Sequence, residues 1–293
     1  MLSEHTQALF KDVFNRQDLF RDLPRIGTRV VSWGPNAQPL ALPHSAVVVS
    51  EQDLLERLDL KHVEGRPSAA ETDWTIAASR PLPADAVEHQ FGTRMAAAMQ
   101  VSPKDGSDPT ACWIESIESG WLFLLPGAPG AGWLLAAGGS PECLLNRSRL
   151  IVKQIEGLVG RETQFPSHPR IAWPLCGSGW LACGTAALAF DPLCGDGTGH
   201  ALREAILASA VVRAVAKGAK PEDVLAHYRA RLLAGFNRHL ELCRGFYFSG
   251  RSGPWWDSEL DAVHRGLEWC KREAGQGTEP RYRLSGFELQ ALG

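Results

Sequence analysis

Apolar positions at Leu9, Phe10, Val13, Phe14 and Phe20 recur at helical spacing through residues 3–21, with polar side chains between them. Arg29-Val30-Val31-Ser32-Trp33-Gly34 then reads as a short strand closed by a Gly-Pro-Asn turn, and the β-branched run Ser45–Val49 as a second strand. Residues Glu51–Leu60 predict an amphipathic helix opening on Ser50, a side chain suited to capping free N–H groups. Asp73–Ser79 predicts a buried strand closed by Arg80-Pro81. Strands over 110–116, 120–125 and 132–137, the last two joined by a Pro-Gly-Ala-Pro-Gly-Ala turn, predict an antiparallel meander. Leu144, Leu145, Leu150, Ile151 and Ile155 return to a helical period over 141–158. A strand, a glycine-rich loop and a small-residue helix over 201–217 come next. Helices from Pro221 to about Cys243 and from Trp255 to Ala274 finish the pattern.

The order is α/β, then antiparallel β, then strand–loop–helix, then helices, with no internal repeat. At 293 residues, 44% hydrophobic and 22% charged, the chain can bury a large core. A formal charge of −3 and a pI near 6.3 give no reason to expect a nucleic-acid or membrane partner. Seven cysteines show no paired spacing, and Cys176 and Cys183 have no histidine at metal spacing. Reduced thiols in a cytoplasmic protein without a metal site are expected. The polar N-terminus carries no signal pattern, and no apolar run has membrane-spanning length.

Candidate chemistry concentrates in Gly184-Thr185-Ala186-Ala187-Leu188-Ala189-Phe190-Asp191-Pro192-Leu193-Cys194-Gly195-Asp196-Gly197-Thr198-Gly199-His200. A strand, a loop with glycines at 195, 197 and 199, and a helix start can cradle an anion on backbone N–H groups and the positive end of the helix dipole. Glycines admit a flat ligand where a Cβ would stand in the way. Pro192 stiffens the approach, and Asp191 and Asp196 are placed to cap the loop. The same pattern also serves as a plain connection from strand to helix.

This wording resembles the flavin-dependent monooxygenases and tryptophan-halogenase-like proteins, in which a Gly-Asp-Ala-Ala stretch leads through Phe-Asp-Pro-Leu-x-Gly-x-Gly to a helix beside FAD. The resemblance implies that Pro192, Gly195 and Gly197 face the flavin ring, with Gly184, Thr185, Asp191, Asp196 and Thr198 completing the cofactor site. It places Gly120–Pro126 over the substrate cavity, with Trp121 and Phe123 as pocket residues, although their alternation equally suits a core. Asp73–Arg80 resembles the family strand that ends in an Ala-Ser/Thr-Gly turn, and the Trp255-Trp256 region its C-terminal helices.

The implied fold is α/β: an incomplete FAD-binding Rossmann-like layer, an inserted antiparallel β-sheet substrate region and C-terminal helices. The expected domains are an interleaved FAD-binding-type domain over 1–80 and 143–220, the β region over 81–142 and a helical region over 221–293. The implied function is an FAD-dependent monooxygenase-like oxidoreductase, using a flavin reductant of unknown identity. Its substrate would be aromatic, tryptophan-like or carried on a peptide. The alternative is a non-catalytic flavoprotein-like scaffold that binds a small molecule or a protein.

Three departures sharpen the expectation. No strand–G-x-G-x-x-G–helix unit is present, nor an acidic partner for an adenosine ribose, so the parallel sheet should lack a strand and expose an edge. Thr185 stands where the family has an acid, losing the strength of a charge-assisted hydrogen bond. The halogenase W-x-W-x-I-P motif reads Trp121, Phe123, Leu125, Pro126, and neither Lys61 nor Lys104 lies in a catalytic context. Monooxygenation is therefore expected over halogenation, and no catalytic residue is identified. His200 is read as a packing or surface histidine, Arg203 as a salt-bridge residue, and His44 and His89 as isolated. Ser178 sits in no G-x-S-x-G elbow.

Overall fold

The computed structural model describes residues 1–59, 74–127, 130–275 and 282–292. Leu60, Lys61, Asp73 and the turn residues Ala128 and Pro129 lie outside them. Along the chain run β1 (Leu2–Ser3), α1 (Glu4–Phe14), β2 (Arg25–Ser32), β3 (Leu40–Val47), α2 (Glu51–Leu58), β4 (Thr75–Ala77) and β5 (Val87–Gln90). The middle holds β6 (Met95–Pro103), β7 (Ala111–Ile117), β8 (Gly120–Pro126), β9 (Gly132–Ala137), α3 (Pro141–Leu145), a 3₁₀ turn (Ile151–Lys153) and β10 (Ile155–Pro166). Then come β11 (Arg170–Trp173), β12 (Cys176–Gly177), β13 (Trp180–Ala182), α4 (Gly184–Ala187), β14 (Leu188–Ala189) and a second 3₁₀ turn (Pro192–Cys194). The helices α5 (Gly197–Ala216), α6 (Pro221–Ser249) and α7 (Pro254–Ala274) follow, and a hairpin, β15 (Tyr282–Ser285) and β16 (Glu288–Ala291), ends the chain. No helix among the described residues is long and apolar enough to cross a membrane.

The chain forms two compact units. The first comprises Met1–Asp59, Gly92–His168 and Cys243–Ala262. Its eight-stranded sheet has the order β1-β3-β2-β7-β8-β9-β6-β10. Side chains alternate across β7–β9 as the two-residue period of a strand requires. Trp113, Leu122, Leu124, Leu134 and Ala136 enter one core with Leu144 and Ile151. The other face carries Trp121, Phe123 and Leu125, the last two against Ile26, Ala46 and Cys112. Local signals start the helices here: Ser3 and Ser50 accept bonds from the N–H groups of Thr6 (3.2 Å) and Asp53 (3.0 Å).

Residues 1–59 were expected in the flavin-type layer but belong to this sheet unit, because β2 pairs in parallel with β7 (Val30 opposite Trp113). The helix expected over 141–158 is replaced by α3, a 3₁₀ turn and the start of β10. The cause is tertiary. Buried Glu115 on β7 accepts bonds from the N–H groups of Arg149 (2.7 Å), Leu150 (3.1 Å) and Ile151 (3.0 Å), holding the chain in a tight turn. Leu144, Ile151 and Ile155 still reach the core.

The second unit comprises residues 60–91, 169–242 and 263–293, of which 60–73, 276–281 and 293 are not described. Its parallel pair, β4 with β13, sets Thr75 opposite Trp180 and Ala77 opposite Ala182. Among the described residues β4 is the edge of its sheet, in the order β12-β13-β4. It is not the buried strand its composition suggested, since Ile76 is 42% exposed. A parallel strand normally lies buried between neighbours, and among the described residues β4 has one on a single side.

Candidate functional site

The site-like segment lies wholly in the second unit. β13 delivers the chain to Gly184, whose φ of +54° falls in the left-handed region that glycine reaches most cheaply. A Cβ at Gly184 would also stand 3.1 Å from the carbonyl oxygen of Ala78. Four bonds fix this turn. Tyr228 on α6 donates its hydroxyl to the Ala182 carbonyl at 2.6 Å. The Cys183 N–H reaches the Ala77 carbonyl at 2.9 Å. The Gly184 N–H donates to Oε2 of Glu204 at 2.7 Å, and Thr185 donates its hydroxyl to the Ala78 carbonyl at 3.3 Å.

Glu204 is buried at 6% exposure on the second turn of α5. Burial pushes its carboxyl up to about 8, against the opposing effect of the Gly184 N–H. It is therefore mostly protonated at neutral pH and accepts the Gly184 bond as a neutral acid. Burial likewise raises the Cys183 thiol to about 11, so this cysteine is inert as a nucleophile.

Past α4 the chain passes Phe190 and enters the second 3₁₀ turn at Asp191. That carboxylate is buried and accepts the Leu193 N–H at 2.9 Å, while the Asp191 N–H donates to Nε2 of His239 at 2.8 Å. Gly195 follows with φ +69°, and α5 begins at Gly197. At both glycines the place a Cβ would occupy has no protein atom within 4 Å. The Asp196 side chain makes no capping bond to α5 but accepts from Arg203 at 2.6 Å. A 20-residue helix thus points its positive end past two glycines into open space.

His200 stacks on Phe190 with ring centroids 4.2 Å apart. Burial, helped by the Arg203 charge, lowers it to about 4, so it is neutral at pH 7 and packs rather than charges the helix start. Outside the loop, His44 Nε2 lies 3.1 Å from Arg29, and His89 stacks on Trp269 at 4.8 Å.

Gly184, Thr185, Asp191, Pro192, Gly195, Asp196, Gly197 and Thr198 therefore follow one another along a single path of the second unit. Gly195, Gly197, Thr198 and Thr185 are exposed on it, and Asp191 is its buried support. Trp121 and Phe123 belong to the sheet unit. Trp121 is fully buried with its indole N–H unpartnered, and Phe123 is half-buried. Sequence reasoning missed Glu204, Tyr228 and His239, the side chains that brace the path. Each acts on residues at least twenty positions away, and no local pattern announces such a bond.

A flavin tests this geometry in two halves. At Gly195 and Gly197 no protein atom within 4 Å of a Cβ position bars a flat ring from the helix start. For an adenine dinucleotide half the chain offers no G-x-G-x-x-G sequence, and Thr185 turns its hydroxyl hydrogen to Ala78.

No family model matches the sequence, and no curated protein matches it. Among solved structures the fold is the one shared by flavin-dependent halogenases and monooxygenases. The chain is similar to the myxobacterial chondrochloren halogenase CndH at 14% identity and TM-score 0.73, covering 94% of this chain and 80% of that one. It is similar to the flavin-dependent halogenase CmlS at 14% identity and TM-score 0.74, over 98% and 67%. The peptidyl tryptophan dihydroxylase QhpG is alike at 18% identity and TM-score 0.66, over 99% and 77%. At such identities the likeness is one of fold.

Proposed function

We propose that the protein is a flavin-dependent oxidoreductase of monooxygenase type that acts on an aromatic substrate. The observation that carries this is the open helix start, with Gly195 and Gly197 bare of neighbours, set in a fold otherwise found in flavin enzymes. Gly195, Gly197 and Thr198 would lie against the ring of a bound FAD, and the α5 dipole would favour electron density at the ring edge nearest the helix. The cofactor, when bound and reduced, supplies the activation of dioxygen. The protein holds the Gly184 turn through Glu204 and Tyr228, and keeps His200 neutral beside the loop.

Similar structures include a peptidyl tryptophan dihydroxylase and a p-nitrophenol 4-monooxygenase, which supports an aromatic substrate. The altered Trp121-x-Phe123-x-Leu125-Pro126 motif favours oxygenation over halogenation. The missing glycine fingerprint favours a second reading, a non-catalytic scaffold that keeps the loop without the chemistry.

The visible spectrum of the purified chain, taken after incubation with excess FAD and desalting, separates the two. Retained bands between 350 and 500 nm, roughly where oxidised flavins absorb, support the enzyme. A colourless protein removes it.

A further inference from the structure

The second unit contains a cavity of about 610 Å³ on the far side of α6 from the glycine loop. On α6 its floor is Ala226, Ala230 and Ala234, spaced four residues apart, with Leu233 and Asn237 on the same face. Trp173 at the end of β11 makes one wall, held edge-on to Trp269 at 5.5 Å. Its cations are Arg229, half-buried, and Lys271, exposed.

Helical phase separates this cavity from the flavin-type loop. At 100° per residue, Ala226, Arg229, Ala230 and Ala234 centre on one direction, and Tyr228 and His239 point about half a turn away. The latter two hold the Ala182 carbonyl and the Asp191 N–H. One face of α6 therefore supports the loop, and the opposite face lines the cavity.

The size falls within the roughly 300–1,000 Å³ of small-molecule sites. The charges are informative. Neither Arg229 nor Lys271 makes an ion pair among the described residues, and the contact shown for the Arg229 guanidinium is Sγ of Cys176 at 3.8 Å. Burial pushes that thiol up to about 11, so it is a neutral partner for the cation. Glu273 and Asn237 also face the cavity, leaving an excess of one positive charge over a mainly apolar surface that includes Trp173, Leu233 and the alanines. A site with a net cationic lining and a largely apolar floor complements a molecule with one anionic end and a flat hydrophobic body.

We infer that this cavity binds an aromatic monocarboxylate, its ring between Trp173 and the alanine stripe and its carboxylate on Arg229 and Lys271. The cavity lies on the opposite face of α6 from the side chains that brace the glycine loop, so the inference stands whether or not that loop binds FAD.

Titration calorimetry with indole-3-acetate and its neutral analogue indole-3-acetamide, on the full chain without flavin, reads it directly. The acid should bind saturably and the amide about tenfold more weakly, since it lacks the charge-assisted bonds. Ala230→Trp fills the floor and should abolish binding. Arg229→Gln, at the half-buried rim where folding is not at stake, should weaken the acid about tenfold and leave the amide unchanged. Equal affinity for acid and amide would overturn the assignment, as would no saturable binding up to millimolar acid. Binding that survives both substitutions in folded protein would place the acid elsewhere, with the same consequence.

Discussion

Replacing Glu204 with glutamine isolates the chemistry that supports the Gly184 turn. In the folded chain burial holds this carboxyl at about 8, against an ordinary 4.5. Between those two values the native state keeps a proton that the unfolded chain has released, so each pH unit lowers stability by about 1.36 kcal/mol on account of this group. The contribution is zero below pH 4.5, on the order of 3 kcal/mol unfavourable at pH 7, and levels off above pH 8. Glutamine keeps an oxygen for the Gly184 N–H and has no charge to desolvate. The variant should therefore match the parent at pH 4.5 and exceed it increasingly up to pH 8. Urea unfolding of both proteins at pH 4.5, 6, 7 and 8.5 measures the difference. Glu204→Leu serves as the control, because it orphans the Gly184 N–H and should lie about 1–3 kcal/mol below Glu204→Gln at every pH. Parallel stability curves for parent and Glu204→Gln would refute the reasoning, since they would mean the carboxyl titrates alike folded and unfolded.

Gly197→Leu adds a side chain where nothing stands within 4 Å, so flavin affinity should fall at least about tenfold with the melting temperature little changed. Fluorescence titration with FAD beside a thermal melt checks both, and intact affinity would remove the glycines from the site. Tyr228→Phe should cost about 1 kcal/mol in urea unfolding through loss of the 2.6 Å bond to Ala182. Glu115→Ala strands the N–H groups of Arg149, Leu150 and Ile151 in the sheet unit and should destabilise by about 3 kcal/mol or more. A chemical melt showing less than 1 kcal/mol would mean water takes over those donors.

Segments with strong local signals were readable in advance. The serine cap at Ser50 and the alternation along β7, β8 and β9 name their own elements, because cap and pleat are set within a few residues. The start of α5 after the glycine loop was legible, since glycine spacing and helix entry are local properties. β10 was not legible. It is a largely exposed edge strand, interrupted between Ile155 and Gly157 and between Val159 and Thr163, and its pairing with β6 rather than its own pattern makes it extended. The hairpin of β15 and β16 was missed although Tyr282 and Leu284, then Leu289 and Ala291, alternate with polar residues; it is almost all surface, so no core stands behind the pattern.

The sequence by itself determined the mixed α/β class, the antiparallel meander and the glycine loop before α5, because each follows from spacing and residue type over short stretches. Only the tertiary structure decided where residues 1–59 belong, since β2 finds its parallel partner in β7 some eighty residues on. Only it revealed that the loop is braced by Glu204, Tyr228 and His239. Hydrogen bonds to buried backbone groups depend on which distant side chain the packing brings within 3 Å, and that is a property of the folded chain.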